Sequence, residues 1–135
     1  MTVFDASVLV DALVVAGPAG DDAREVLRDR SLLHVPSIFA AEATSAIRSM
    51  QAQGDVSSGR ARSAVSKIKV VQTMQYPFEP FLDRVWELHD NFSVYDGWYV
   101  ALAESLDTSL VTADRRLARA SGPRCPVVEV GRVGR

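Results

Sequence analysis

Apolar residues recur along the chain in two alternating styles. Short dense runs at Thr2 to Phe4, Leu32 to Val35 ("LLHV"), Val70 to Thr73, Ser109 to Thr112 and Val127 to Val130 read as buried strands. Between them lie longer stretches whose apolar positions fall three and four apart, the spacing of helices. These helices span about Ala6 to Ala16, closed by "GPAG", then Ala19 to Arg30, Ser57 to Lys67, Phe81 to Asn91, Ser93 to Leu106 and Arg115 to Ala120. A long helix reaches about Gln53, with Ser37 as its expected N-cap and Gly54 just past its end. Pro36 is expected to stop the second strand.

Strands separated by helices imply an α/β protein with a parallel sheet covered on both faces. In such sheets the usable crevice lies outside the carboxyl ends of the strands, where the strand order reverses. Asp5 directly follows the first strand and Asp114 closely follows the fourth. If those strands are neighbours at the reversal, both acids share one crevice.

Composition narrows the chemistry. The 135 residues fit one domain, 1–135, and 47% hydrophobic with 24% charged residues is ordinary for a folded globular chain. The lone Cys125 excludes an internal disulfide, and His34 with His89 supplies no zinc cluster, so a reducing cytoplasm is expected. The apolar stretch Val8 to Val15 is cut by Asp11, far short of the ~20 residues of a membrane span, so neither export nor insertion is expected. A net charge of -2 excludes binding of nucleic acid by bulk electrostatics. After Asp114, however, come Arg115, Arg116, Arg119, Arg124, Arg132 and Arg135 against the single acid Glu129. That run reads either as a phosphate-holding surface or as a solvated face.

Two further acids stand where charge is unexpected. On a helical wheel of about 100° per residue, Ile38, Phe39, Ala43, Ala46, Ile47 and Met50 form one apolar sector and Glu42 falls inside it. In "VYDGWYVALAESL" the stripe is Tyr95, Trp98, Tyr99, Leu102 and Leu106; Asp96 flanks it while Glu104 points away. Each acid has a plain alternative. Asp5 and Asp114 read equally as helix caps, Glu42 as the partner of a buried arginine, and Asp96 as a helix-start acid favoured by the macrodipole.

Convergence of all four would have an electrostatic consequence. At an effective dielectric of about 20 and about 6 Å, each like-charged pair costs ~3 kcal/mol, so four carboxylates repel by roughly 15 kcal/mol. They must then protonate or bind a cation. All-oxygen ligation favours a hard divalent ion, Mg²⁺ or Mn²⁺.

At these residues the chain resembles the PIN-domain nucleases, in particular the VapC-type toxins of toxin–antitoxin pairs. The matching pieces are "FDAS" (Asp5, Ser7), "AAEATSAI" (Glu42), "YDGWYVALAESL" (Asp96) and "LVTADRRLA" (Thr112, Asp114), which run from first strand to last helix. The resemblance implies a three-layer α/β/α fold with a five-stranded parallel sheet. It makes Asp5, Glu42, Asp96 and Asp114 the acidic metal site, with Ser7 and Thr112 as supporting polar groups. It implies RNA cleavage dependent on Mg²⁺ or Mn²⁺, a homodimer and a cognate VapB-type antitoxin. Asp5 and Asp96 are expected as direct metal ligands, and Arg115 and Arg116 as grips on flanking phosphates. Apolar residues of the first two helices and of the helix after Gly54 exceed what one sheet face covers, which suits either an antitoxin groove or a helix–helix seam. Gly97, where such toxins often carry a small helix-favouring residue, reads as harmless near a helix start.

Rival readings fit less well. A haloacid-dehalogenase-like phosphatase needs a second acid two residues past the nucleophile, where Ser7 stands, and a phosphoreceiver needs an acidic pair and a late lysine, whereas the lysines are Lys67 and Lys69. "GPAG" matches neither a P-loop nor a dinucleotide fingerprint, and no basic recognition helix is present. The remaining alternative to a nuclease is a catalytically silent PIN-like binding or scaffold module.

Overall fold

The computed structural model describes residues 1–130, so Arg132 and Arg135 of the basic run lie outside the described residues. Five strands alternate with helices as the apolar pattern predicts. The order is β1 (Val3–Phe4), α1 (Ala6–Val14), α2 (Pro18–Leu27), β2 (Leu33–Pro36), α3 (Phe39–Ala52), α4 (Ser58–Ile68) and β3 (Thr73–Tyr76). A 3₁₀ turn at Glu79–Phe81 then leads into α5 (Leu82–Glu87), α6 (Val94–Ser105), β4 (Leu110–Thr112), α7 (Arg115–Arg119) and β5 (Val127–Glu129).

The sheet is parallel throughout, in the order β3-β2-β1-β4-β5. β1 is therefore central, and the order reverses between it and β4. Because the chain steps one way from β1 to β3 and the other way from β3 to β5, right-handed crossovers put α1–α4 over one face and α5–α7 over the other. Accordingly α1 packs against α2, α3 and α4, and α6 lies across β2, β1 and β4. This is the three-layer α/β/α arrangement.

Register decides which side chains face α6. Val3 pairs with Leu110 and Phe4 with Val111, and the Asp5 amide continues the ladder by donating to the Val111 carbonyl at 3.1 Å. Side chains alternate along a strand, so Val3 and Asp5 share a face with Leu110 and Thr112. Phe4 points to the opposite face, where the Arg30 guanidinium of the segment after α2 lies over its ring.

Three local expectations are corrected. Ser37 does not cap α3: Ile38 holds that position in helical conformation, and the Ser37 amide instead donates to the Tyr76 carbonyl at 3.0 Å. The third strand is Thr73–Tyr76, not Val70 to Thr73. Val70 and Val71 form a turn after α4, their amides donating back to Lys67 and Ile68, and Val70 is 76% exposed. Pairing with β2, with Pro36 opposite Tyr76 and His34 Nδ1 2.9 Å from the Tyr76 hydroxyl, outweighs local apolarity in setting that register. α5 ends at Glu87 rather than Asn91, because the chain turns there to bury Leu88 and Phe92.

Much of the apolar surplus is covered within the chain. Val8, Leu9, Val10 and Val14 of α1, Ala23 of α2, and Ala61, Ala64 and Ile68 of α4 are buried within the chain, forming a helix–helix seam, while Leu13, Val26, Leu27 and Val65 of these helices stay partly exposed. Exposed large apolar side chains lie elsewhere, including Leu82 and Trp86 on α5 and Val94 and Tyr95 at the start of α6. The carboxyl end of α1 is also closed internally. Arg24 donates to the Ala12 and Val15 carbonyls at 3.0 and 3.1 Å, and Arg60 to Val14 at 2.6 Å, satisfying acceptors that a helix end leaves open.

The α1–α2 corner tolerates no side chain at Gly20. A Cβ there would lie 1.8 Å from the Val15 carbonyl oxygen. Gly20→Ala is therefore expected to destabilise by about 1–3 kcal/mol in thermal unfolding. Gly59→Ala in α4 meets open space and should instead stabilise by up to ~1 kcal/mol. Equal melting temperatures for the two variants would contradict this packing.

Candidate active site

The ends of β1 and β4 meet where the strand order reverses, and the acids gather there. Asp5 is 6% exposed and caps α1 in an extended conformation. Its Oδ1 accepts from the Ser7 amide at 3.1 Å and from the Ser7 hydroxyl, and its Oδ2 accepts from the Thr112 hydroxyl at 2.6 Å. The two hydroxyls in turn accept from the backbone beyond β4: Ser7 Oγ from the Ala113 amide and Thr112 Oγ1 from the Asp114 amide, each at 2.9 Å. Ser7 and Thr112 thus lace the first strand end to the fourth around one carboxylate.

The other acids arrive on helix starts. Asp114 caps α7, its Oδ1 accepting from the amides of Arg116 at 2.9 Å and Leu117 at 3.4 Å. Asp96 lies in the first turn of α6, where its amide donates to the Oγ of the capping Ser93 at 3.1 Å. Glu42 lies in the first turn of α3, half-buried, with no basic side chain at ion-pair distance among the described residues. The cap readings of Asp5 and Asp114 therefore hold, and among the described residues no arginine pairs with Glu42.

Electrostatics links the four. Burial pushes the Asp5 carboxyl up to about 6 against the lowering effect of the Ser7 and Thr112 hydroxyls, with the charges of Asp96 and Asp114 pushing further. Asp96 is raised by burial and then by Asp114, while Ser93 and Arg116 pull it down. Glu42 is raised by burial and by Asp96, with Tyr99 opposing. Negative charge is thus disfavoured at three positions at once. Among the described residues no three acidic, histidine or cysteine side chains are already drawn to a metal-holding spacing. The donors are nonetheless all oxygen and mutually repelling, with Arg116 as the cation that opposes this at Asp96, a set suited to a hard divalent cation.

The two arginines divide. Arg116 stands 3.9 Å from Asp114 and lines a small cleft of about 80 Å³ with Asn91, Ser93 and Asp96. Arg115 leans at 4.0 Å towards Glu129 of β5. Sequence reasoning passed over Ser93, although Ser-x-x-Asp in "SVYD" is a capping-box pattern. It also read Tyr99 as core. That side chain is 1% exposed, yet its hydroxyl senses Glu42, Asp5 and Asp96. An apolar stripe carries no sign of such a neighbour.

Comparison with known proteins places the chain in a family. The PIN domain family model matches residues 2–123. The VapC ribonuclease Mb0985 of Mycobacterium bovis is 35% identical over 132 residues, covering 98% of this chain and all of that protein. Ribonuclease VapC1 of Mycobacterium tuberculosis is 35% identical over 93% of this chain and 94% of its own length. The chain belongs to the VapC family of PIN-domain proteins. The crystal structure of PAE2754 from Pyrobaculum aerophilum shares the fold, with a TM-score of 0.66 at 22% identity, over 94% of this chain and 82% of that one.

In this VapC-family chain Gly97 does more than start a helix harmlessly. It is buried, and a Cβ there would meet Val85 Cγ1 at 3.3 Å, so its small size lets α5 press on the turn that carries Asp96.

The raised Asp5 has a measurable consequence. A carboxyl that binds its proton more tightly when folded stabilises fully below its unfolded value of 3.8, and that contribution is lost as pH rises through about 6. Metal-free protein is expected to lose on the order of 3 kcal/mol from this group between pH 4 and pH 7. Denaturant unfolding in chelator should show the loss, and Asp5→Asn should flatten it. An unchanged slope in the variant would refute the burial penalty.

Proposed function

We propose that this protein is a metal-dependent endoribonuclease, the toxin of a toxin–antitoxin pair, built as one PIN domain over residues 1–135. The observation that carries the reading is the coupled set of carboxylates at the ends of β1 and β4, in a chain 35% identical over nearly its whole length to named VapC ribonucleases. Asp5 and Asp96 would hold Mg²⁺ or Mn²⁺, and Glu42 and Asp114 would complete the oxygen shell directly or through water. When bound, the ion supplies a polarised phosphate and a water acidic enough to give hydroxide near neutral pH.

The chain's own groups do the rest. Ser7 and Thr112 hold both oxygens of Asp5 in place, which keeps that carboxylate's plane fixed as ligands exchange. Arg116, 85% exposed beside Asp114, meets an incoming phosphate, whereas Arg115 shares its charge with Glu129. The substrate is RNA, the partner a VapB-type antitoxin, the assembly a homodimer and the compartment the cytoplasm; among the described residues no helix is long and apolar enough to cross a membrane.

Calorimetry with Mn²⁺ in the absence of RNA tests the metal reading. Wild type should bind, and Asp96→Asn should bind at least tenfold more weakly, cleave no RNA, and melt at the same or a higher temperature without metal, because repulsion with Asp114 is relieved. A folded wild type that binds no Mn²⁺ would instead indicate a catalytically silent PIN-like module. For the arginines, Arg116→Ala should weaken RNA binding in chelator and reduce its salt slope by about one, with Arg115→Ala having the smaller effect. Equal effects would overturn the division of roles.

A further inference from the structure

Tyr99 has no part in the chemistry so far, yet it is the core side chain on which the cluster bears most directly. It belongs to α6, three residues after Asp96, and is 1% exposed. Its hydroxyl oxygen is buried and has no hydrogen-bond partner of ordinary geometry among the described residues. Leaving such a donor unpaired opposes folding, so a buried tyrosine hydroxyl ordinarily finds an acceptor. Its charged neighbours are carboxylates, Glu42 first and then Asp5 and Asp96, and together with burial they keep the phenol protonated and able only to donate to an anion.

Of these neighbours, Glu42 bears most strongly on the hydroxyl and has both spare acceptors and room to move. Both Asp5 oxygens are already engaged by Ser7 and Thr112. Glu42 is half-buried, lacks a counter-ion among the described residues and carries a longer side chain with more rotatable bonds, whereas the Tyr99 ring is locked among buried core residues. The acceptor can therefore approach the donor, and not the reverse. Trp98 Nε1, also buried without a partner among the described residues, belongs to a separate apolar cluster with Val85 and Ala101.

We propose that Tyr99 is a positioning residue: as the cluster takes up a divalent cation, its hydroxyl donates to one oxygen of Glu42 and turns the other towards the ion. The proposal rests on the metal-dependent reading above. A donor fixed behind a ligating carboxylate selects one orientation of that carboxylate, and loss of such a partner commonly weakens metal binding ten- to a hundredfold. Without metal the same hydroxyl has no partner of ordinary geometry and adds little to stability beyond its nearness to Glu42.

Mn²⁺ calorimetry and metal-free melting of wild type, Tyr99→Phe, Glu42→Gln and the double variant provide the test. Tyr99→Phe should melt at or above the wild-type temperature without metal and bind Mn²⁺ about tenfold more weakly or worse. In the Glu42→Gln background the Tyr99→Phe change should have little further effect, since the group it orients is gone. Wild-type affinity in Tyr99→Phe, a full loss repeated on top of Glu42→Gln, or a marked fall in metal-free melting temperature would each overturn the assignment. Those outcomes leave wild-type Mn²⁺ binding intact. A wild type that does not bind Mn²⁺ removes the metal reading itself, and this role with it.

Discussion

The carboxylate of Asp5 sits between two hydroxyls in the centre of the sheet, and the site is organised around it. An aspartate so buried loses its water, and Ser7 and Thr112 replace that water with donors held by the backbone. Because the same hydroxyls accept from Ala113 and Asp114, the polar needs of this region are met while a negative charge remains. The network joins β1 to β4 beyond their last paired residues, so one set of contacts both closes the sheet at its reversal and fixes the first metal-ligand candidate.

The fold explains why four acids meet there. In a parallel sheet with right-handed crossovers, helices that follow a strand start at its carboxyl end. Asp5 and Asp114 cap α1 and α7, while Glu42 and Asp96 occupy the first turns of α3 and α6. Unpaired amides at a helix start carry partial positive charge, which makes a carboxylate tolerable at each position. Capping alone would satisfy each acid separately; their mutual repulsion adds a shared excess of negative charge, the feature on which the proposed metal site rests.

The opposite face is ordinary helix packing. α1 is enclosed by α2, α3 and α4, and its final carbonyls are taken by Arg24 and Arg60. Among the apolar side chains left at the surface are four on α5 and the start of α6, Leu82, Trp86, Val94 and Tyr95, close in sequence to Asp96. Any protein partner that covers them would therefore bear on the helix that carries that acid.

Much of this was legible from residue order, for identifiable reasons. Strand and helix alternation follows from apolar spacing, and spacing is local. The positions of Asp5 and Asp114 after strands, and of Glu42 within an apolar sector, are likewise local facts, and the order of four short motifs carried the family. What the chain order could not contain was pairing. The third strand moved to Thr73–Tyr76 because β2 supplies its hydrogen bonds, and Ser37 gave up its capping role to the same edge. Gly97 and Gly20 are small because particular neighbours, Val85 and Val15, approach them from other elements. Tyr99 looks like any core aromatic until Glu42, 57 positions earlier, is folded alongside it. Periodicity and motif are written in nearest neighbours along the chain, whereas register, close contact and the perturbation of a charge depend on neighbours in space.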